Sequence, residues 1–306
     1  MIADRPNKNH NYFIVCLTFL IYNETMKITL AGGRELSTER KSLVMGILNA
    51  TPDSFYSDSR KPGVPEGLGA ALAMIESGAD ILDIGGESSR PGASYIDETE
   101  EIRRVVPLIK AVREVSDIPI SIDTRKAATA EAAVEAGADI INDISALGDD
   151  PRLGEVAAAC SVPVVLMHKQ GVPETMQLSP EYDDAVSEIA SELKSYADRA
   201  LDYGIGSDMI ILDPGIGFGK RLEDNLAILR NLEVFHDLGY PLLIGLSRKA
   251  FIGTVTGAPV EDRLSGSLAA NMYCAIGGAQ ILRVHDVKET VNMLDILTAI
   301  EGASVK

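Results

Sequence analysis

Short apolar runs recur along this chain, and nearly every one ends in a polar or charged residue. The run 43–48 leads to Asn49, 118–122 to Asp123, 140–141 to Asn142, 162–167 to His168 and 209–212 to Asp213. Two more, 242–246 and 281–282, lead into Ser247-Arg248-Lys249 and Arg283-Val284-His285. Together with a run at 81–84 they predict eight buried strands, near 43–48, 81–84, 118–122, 140–142, 162–167, 209–212, 242–246 and 281–284. Between them the pattern turns helical. Over 180–203, Val186, Ile189, Ala190, Leu193, Ala197 and Leu201 recur at helical spacing, with Ser179 as the expected cap, Pro180 in the first turn and Gly204 at the end. Ahead of the first strand, 27–30 and 34–36 around Gly32-Gly33 predict a small hairpin.

An internal echo shows that the strand–helix unit is repeated. Residues 77–85 read SGADILDIG, 136–144 read AGADIINDI and 277–285 read GGAQILRVH. In each, a glycine closes a helix and a buried strand follows within two residues. Eight such units over roughly 250 residues suit a single (β/α)8 TIM barrel, whose binding site lies on the carboxyl edge of the strands. An open doubly wound sheet is the rival, but no GxGxxG follows the first strand. No Pro/Gly/Ser-rich linker divides the chain, so 26–306 is expected to be one domain.

Composition narrows the function. The 306 residues are 46% hydrophobic with a net charge of −17, which argues against a general nucleic-acid binder. Three dispersed cysteines, Cys16, Cys160 and Cys274, form no disulfide framework and fit a reducing cytoplasm. The absence of Trp removes the usual stacking platforms for single strands. Residues 1–25 contain an apolar stretch at 12–22, too short to cross a bilayer, which takes about 20 residues. No small-residue cleavage site follows it, so a dispensable extension or edge strand is favoured over an export signal, with Met26 as a second possible start.

Two connections, 50–65 and 85–97, are long and rich in Gly, Pro, Ser and Asp. Connections of this length are functional lids or disordered segments. Leaving the same edge of the barrel, the two are expected to be mobile catalytic loops.

Seven segments, in order, carry a family resemblance: MGILNATPDSF at 45–55, GGESSRPGA at 85–93, SIDTRK at 121–126, IND at 141–143, DPGIGFGK at 213–220, GLSRK at 245–249 and RVHDV at 283–287. Over about residues 27–300 the chain resembles the dihydropteroate synthases, the folate-pathway enzymes that sulfonamides inhibit. The resemblance implies a homodimeric, cytoplasmic (β/α)8 barrel that joins 4-aminobenzoate to a dihydropterin methyl diphosphate, with Mg2+ as cofactor. Small molecules, not nucleic acid or membrane, are the expected partners.

The residues make chemical sense for that reaction. A pterin's pyrimidine edge presents an amino group and a ring N–H side by side, and one carboxylate accepts both. Asp213 is similar to the family's residue for this task. Asn142 suits adjacent ring nitrogens, Lys249 the pterin oxygen, and Met167 and Phe218 the ring faces. The resemblance gives Asp123 the role of stabilising a developing methylene cation, and gives Arg283 and His285 the diphosphate. It makes Asn49 a ligand of Mg2+, and Phe55, Ser89, Arg90 and Pro91 the contacts of 4-aminobenzoate. The glycines at 215, 217 and 219 lack P-loop spacing and read as turn residues that let backbone approach the ligand.

The chain departs from the family in Ser89, usually Thr, and in Ala50 and Ala250, often Val and Ser; Tyr56 shifts the register of the first loop. Three rivals stay open. A corrinoid methyltransferase would lack the SRK and RVH clusters. A Schiff-base aldolase would need Lys249 in a dry pocket. A pterin-binding protein without catalysis would be separated by a turnover assay.

Overall fold

The computed structural model describes residues 27–50, 63–87, 96–171, 176 and 180–303. Four of the expected contacts, Phe55, Ser89, Arg90 and Pro91, lie outside them, as do residues 1–25, Ser179 and most of both long connections.

A two-stranded hairpin comes first: β1 (Ile28–Thr29) pairs antiparallel with β2 (Glu35–Leu36) across a turn at Ala31–Gly33. The barrel strands follow as β3 (Leu43–Asn49), β4 (Ile81–Gly85), β5 (Ile120–Asp123), β6 (Ile140–Asp143), β7 (Val164–Met167), β8 (Ile210–Asp213), β9 (Leu243–Ile244) and β10 (Ile281–Val284). They pair in parallel in chain order from β3 to β8, with β10 between β3 and β9. The ring closes where Leu212 bridges Leu242 in parallel and the Leu212 N–H donates to the Pro241 carbonyl at 2.9 Å. This closure excludes the open sheet.

Four strands begin later than the apolar runs suggest, three of them for one reason. Pro119, Pro163 and Pro241 sit at the entrances of β5, β7 and the segment leading to β9, and proline has no N–H for the ladder. Each still gives its carbonyl to the neighbouring strand, at Leu82, Ile141 and Leu212.

Strand side chains alternate between two cores. Outward residues such as Val44, Leu82, Ile84, Ile122, Ile141, Leu166, Leu212 and Leu282 pack under the helices. Inward residues Leu43, Met45, Ile81, Ile140, Val165, Ile211, Leu243 and Ile281 form an apolar floor inside the ring, and Ile28 and Leu30 of the hairpin close it from below. Fully burying an aliphatic side chain of this size stabilises by about 1.5–3 kcal/mol, so the hairpin is a plug and not an ornament.

The echo has a structural cause. Asp80, Asp139 and Gln280 occupy the same place in the three repeats, one residue before β4, β6 and β10. Each accepts an N–H at the start of a neighbouring strand segment: Val44 at 2.7 Å, Ile120 at 2.9 Å and Leu242 at 2.6 Å. Arginines complete the two aspartates, Arg40 on Asp80 and Arg113 on Asp139.

Among the helices, the one expected over 180–203 runs from Ala185 to Asp202. Its cap is Asp184, whose Oδ1 accepts the N–H groups of Val186 and Ser187 at 3.1 and 3.3 Å. The preceding turn is tied off by the Gln170 side chain, which holds Glu181 N–H at 3.0 Å, so Pro180 precedes the helix and does not begin it. No helix among the described residues is long and apolar enough to cross a membrane.

Candidate active site

Residues two apart on a strand share a face, so the next inward positions above the floor follow from the sequence. Above Ile81, Ile140, Val165, Ile211 and Ile281 stand Asp83, Asn142, Met167, Asp213 and Arg283; β5 adds Asp123 above Ser121. A dry layer is thus overlaid by one that is mostly charged, at the carboxyl ends of the strands.

Arg283 binds that layer together. Its Nε donates to Asp83 Oδ2 and its Nη2 to Asp123 Oδ2, both at 2.6 Å. Asn142 Nδ2 donates to both oxygens of Asp83, at 3.3 and 3.2 Å. Asp83 is fully buried, while Arg283 and Asp123 keep 20% and 12% of their side chains exposed, so the layer opens upward. Burial pushes the Asp123 carboxyl up to about 7; Arg283 pulls against that shift, and Asp83, Glu101 and Asp143 add to it. The two carboxylates raise Arg283 against its own desolvation.

Asp213 ends β8. Burial raises its carboxyl, opposed by the Gly215 N–H, which donates to Oδ1 at 2.7 Å, and by Lys249, Arg283 and Lys220. Lys249 reaches over the Phe218 ring with Nζ 4.0 Å from its centroid. Burial pulls its ammonium down to about 8, with Asp213 the largest influence in the other direction. Phe218 and Met167 form a small apolar cluster with Ile144 and Met176 beside these charges. Aromatic face, cation, carboxylate and amide therefore meet at one mouth.

Two glycines of the run make a close approach to backbone. At Gly215, with φ +66°, an added Cβ would lie 1.9 Å from the His168 carbonyl, and at Gly219, with φ +61°, 2.2 Å from that of Gln170. These glycines let the turn press against the chain that leaves β7; the close approach is to backbone.

Arg248, in the middle of the SRK cluster, has a left-handed backbone (φ +60°), a conformation costing a non-glycine residue on the order of 1–3 kcal/mol. It is held by its N–H on Ser267 Oγ at 3.0 Å and by its guanidinium on Asp286 at 3.1 and 2.5 Å. The turn sends Arg248 outward while Lys249 reaches Phe218. His285 follows β10, its Nδ1 3.1 Å from Ser247 Oγ, which joins the SRK and RVH clusters directly.

Asn49 ends β3 in register with Gly85, partly exposed at the same rim. No group of three or more His, Cys, Asp or Glu suited to a metal occurs among the described residues. A single neutral side-chain oxygen there fits a hard divalent cation that keeps most of its waters.

Two residues escaped the sequence reading. Asp83 was passed over as the interior of an apolar strand, although the echo aligns it with Asn142 and Arg283. Lys220, at the end of the glycine run, is buried and hydrogen-bonded to three groups. No local pattern distinguishes it from a surface lysine.

This chain is similar to known proteins in both sequence and fold. The model of the pterin binding enzyme family matches residues 45–285. The dihydropteroate synthase of Bacillus subtilis is 46% identical over 264 residues, covering 86% of this chain and 90% of that one. The crystal structure of Yersinia pestis dihydropteroate synthase with a sulfonamide drug complex superimposes with a TM-score of 0.84 at 43% identity, over 91% of this chain and 100% of that one. Xanthomonas albilineans dihydropteroate synthase with 4-aminobenzoic acid gives a TM-score of 0.84 at 41% identity, over 91% and 99%.

Proposed function

This chain belongs to the dihydropteroate synthase family of pterin-binding enzymes, and from that premise we propose how its own residues carry the reaction. The enzyme condenses (7,8-dihydropterin-6-yl)methyl diphosphate with 4-aminobenzoate to give 7,8-dihydropteroate and pyrophosphate. A carbon–oxygen bond breaks, a carbon–nitrogen bond forms, and the amine nitrogen loses one proton. The observation that carries the assignment is the polar layer of Asp83, Asp123, Asn142, Asp213 and Arg283 standing directly on an apolar floor.

Asp213 accepts the paired pterin donors, Asn142 meets the adjacent ring nitrogens and Lys249 donates to the pterin oxygen. Met167 and Phe218 cover the ring faces. The arylamine already carries a lone pair, so the difficult event is departure of the diphosphate. As that bond lengthens, positive charge grows on the methylene carbon and is shared with the electron-rich dihydropterin. Asp123, held by Arg283, stabilises it electrostatically; Arg283 and His285 attract the leaving group. Asn49 would hold Mg2+, which would supply further stabilisation of the departing charge. Phe55, Ser89, Arg90 and Pro91 serve 4-aminobenzoate.

The enzyme acts in the cytoplasm as a homodimer, and residues 1–25 are dispensable to a barrel formed by 26–306. Exposed Val255, Met272, Tyr273, Ile296 and Ile300 on three successive C-terminal helices, Ala250–Thr256, Leu264–Ile276 and Val287–Glu301, support the dimer. The deciding experiment is turnover by purified protein: pyrophosphate release should require both substrates and Mg2+. Tight pterin binding without release would identify a non-catalytic binding protein.

A further inference from the structure

Behind the site, a row of polar side chains runs from the glycine turn to the surface, and the reaction as described makes no use of it. Lys220, 3% exposed, places Nζ 3.0 Å from the Phe218 carbonyl, 3.3 Å from the His168 carbonyl and 2.9 Å from His168 Nδ1. His168 is itself buried, and its other nitrogen, Nε2, lies 3.4 Å from a carboxylate oxygen of Glu192, which is half exposed. The Tyr196 hydroxyl donates to the same Glu192 oxygen at 2.8 Å.

With Lys220 as the ammonium, the donor count sets the tautomer of His168. An ammonium has three N–H bonds and no lone pair, and three acceptors surround this one. His168 Nδ1 accepts, so the ring's single proton belongs on Nε2, toward Glu192. Burial drives His168 down to about 3, in keeping with a neutral ring. Residue 168 is also the partner of the pterin carboxylate's backbone: its N–H donates to the Asp213 carbonyl at 2.9 Å. Lys220 thus grips both sides of the chain that presents Asp213, the end of β7 through His168 and the glycine turn through Phe218.

We infer that Lys220 is a positioning residue for pterin recognition: its ammonium locks the 213–220 turn onto His168 and adds the positive charge that favours Asp213 as a carboxylate. The inference rests on the reading of Asp213 as the acceptor of the pterin edge. The charged groups around both partners are few. Asp213 is faced by Lys249, Arg283 and Lys220, and Lys220 by Asp213, Lys249, Glu192 and Asp224, besides the neutral His168. Burial pulls Lys220 down to about 7, with Asp213 the largest influence holding its proton. Each partner therefore favours the charged form of the other.

The test is the pH dependence of binding 6-hydroxymethylpterin, which has no diphosphate to engage Arg283 and His285, followed by calorimetry from pH 5.5 to 8.5. Removing a cation raises the pKa of a neighbouring carboxyl, so Lys220→Met should move the acid limb of binding to higher pH. A shift of one unit makes affinity up to about tenfold weaker on the acid side of that limb and leaves it unchanged well above it. Lys220→Arg should keep the limb where the unsubstituted enzyme has it. A uniform loss of affinity across the range, or none, would overturn the inference, because a purely structural lysine produces no pH shift. Asp213→Asn separates the two readings: normal pterin binding by that variant sinks the role of Asp213 itself. Loss there with an unmoved limb in Lys220→Met sinks only the present inference. Should Lys220→Met not fold, the ring 15N spectrum of His168 in the intact enzyme decides. An unprotonated Nδ1 and protonated Nε2 at the acid end of this range, where Lys220 carries its proton, support the inference, and the opposite tautomer or a charged ring there overturns it.

Discussion

At the N-terminal end of the barrel, Asp80 and Asp139 each accept a strand-opening N–H and face one arginine or more, at side chains about one-fifth exposed. At the C-terminal end, Asp83, Asp123 and Asp213 share a largely buried layer with Arg283 and Lys249. The same residue types give opposite results. Below, each aspartate closes a gap in a hydrogen-bond ladder and joins neighbouring repeats. Above, burial outweighs pairing: Asp123 is pushed up to about 7 and Lys249 pulled down to about 8. One end spends its charges on holding strands together, and the other keeps charges in an environment that favours a ligand of complementary charge.

The comparison can be broken by substitutions at either end. Arg283→Ala removes the partner of two carboxylates and the cation proposed to attract the leaving group, so turnover should fall by at least about a hundredfold. A steady-state assay showing a fall under tenfold would dissolve the polar layer as a unit. At the other end, Ile28→Ala opens a cavity in the floor, where such truncations cost about 2–5 kcal/mol. Urea unfolding should register that loss while kcat under native conditions stays unchanged.

A smaller effect comes from pH. The Asp123 carboxyl is raised, so it takes up a proton as pH falls through about 7, and the developing cation loses its counter-charge. The kcat/KM should therefore decline below about pH 7, approaching tenfold per unit. A flat kcat/KM from pH 8 to 5.5 would exclude Asp123 from the step. The smallest change is expected at the rim: Asn49→Ala should raise the Mg2+ concentration for half-maximal rate several-fold, since one inner oxygen is lost among waters and phosphates. An unchanged Mg2+ requirement would leave Asn49 a turn residue.

The upper layer was legible in the sequence wherever a polar residue terminated an apolar run, as at Asp123, Asn142, Asp213 and Arg283. A run's end marks both the strand and its exit edge. Asp83 does not stand out because Ile81-Leu82 precede it and Ile84-Gly85 follow it, so it ends no apolar run. Aligning the three echoes by period two would have found it, along with the lower layer of Asp80, Asp139 and Gln280. Strand starts were misplaced where proline looks apolar but cannot donate. The cap at Asp184 and the burial of Lys220 depend on contacts with Gln170 and His168, residues distant in sequence, which local patterns do not carry.

One measurement bears most directly on the division between the two ends: the same change, Asp to Asn, made at 213 and at 139, with calorimetry of pterin diphosphate binding and thermal unfolding followed on both. Asp213→Asn replaces one acceptor oxygen with an amide that faces the pterin's own donors, a loss of about 2–4 kcal/mol that should weaken binding at least tenfold and leave Tm nearly unchanged. Asp139→Asn weakens the ties to Arg113 and Arg34 and should lower Tm while pterin diphosphate binds normally. Loss of both properties in both variants, or normal pterin binding by Asp213→Asn, would contradict the account.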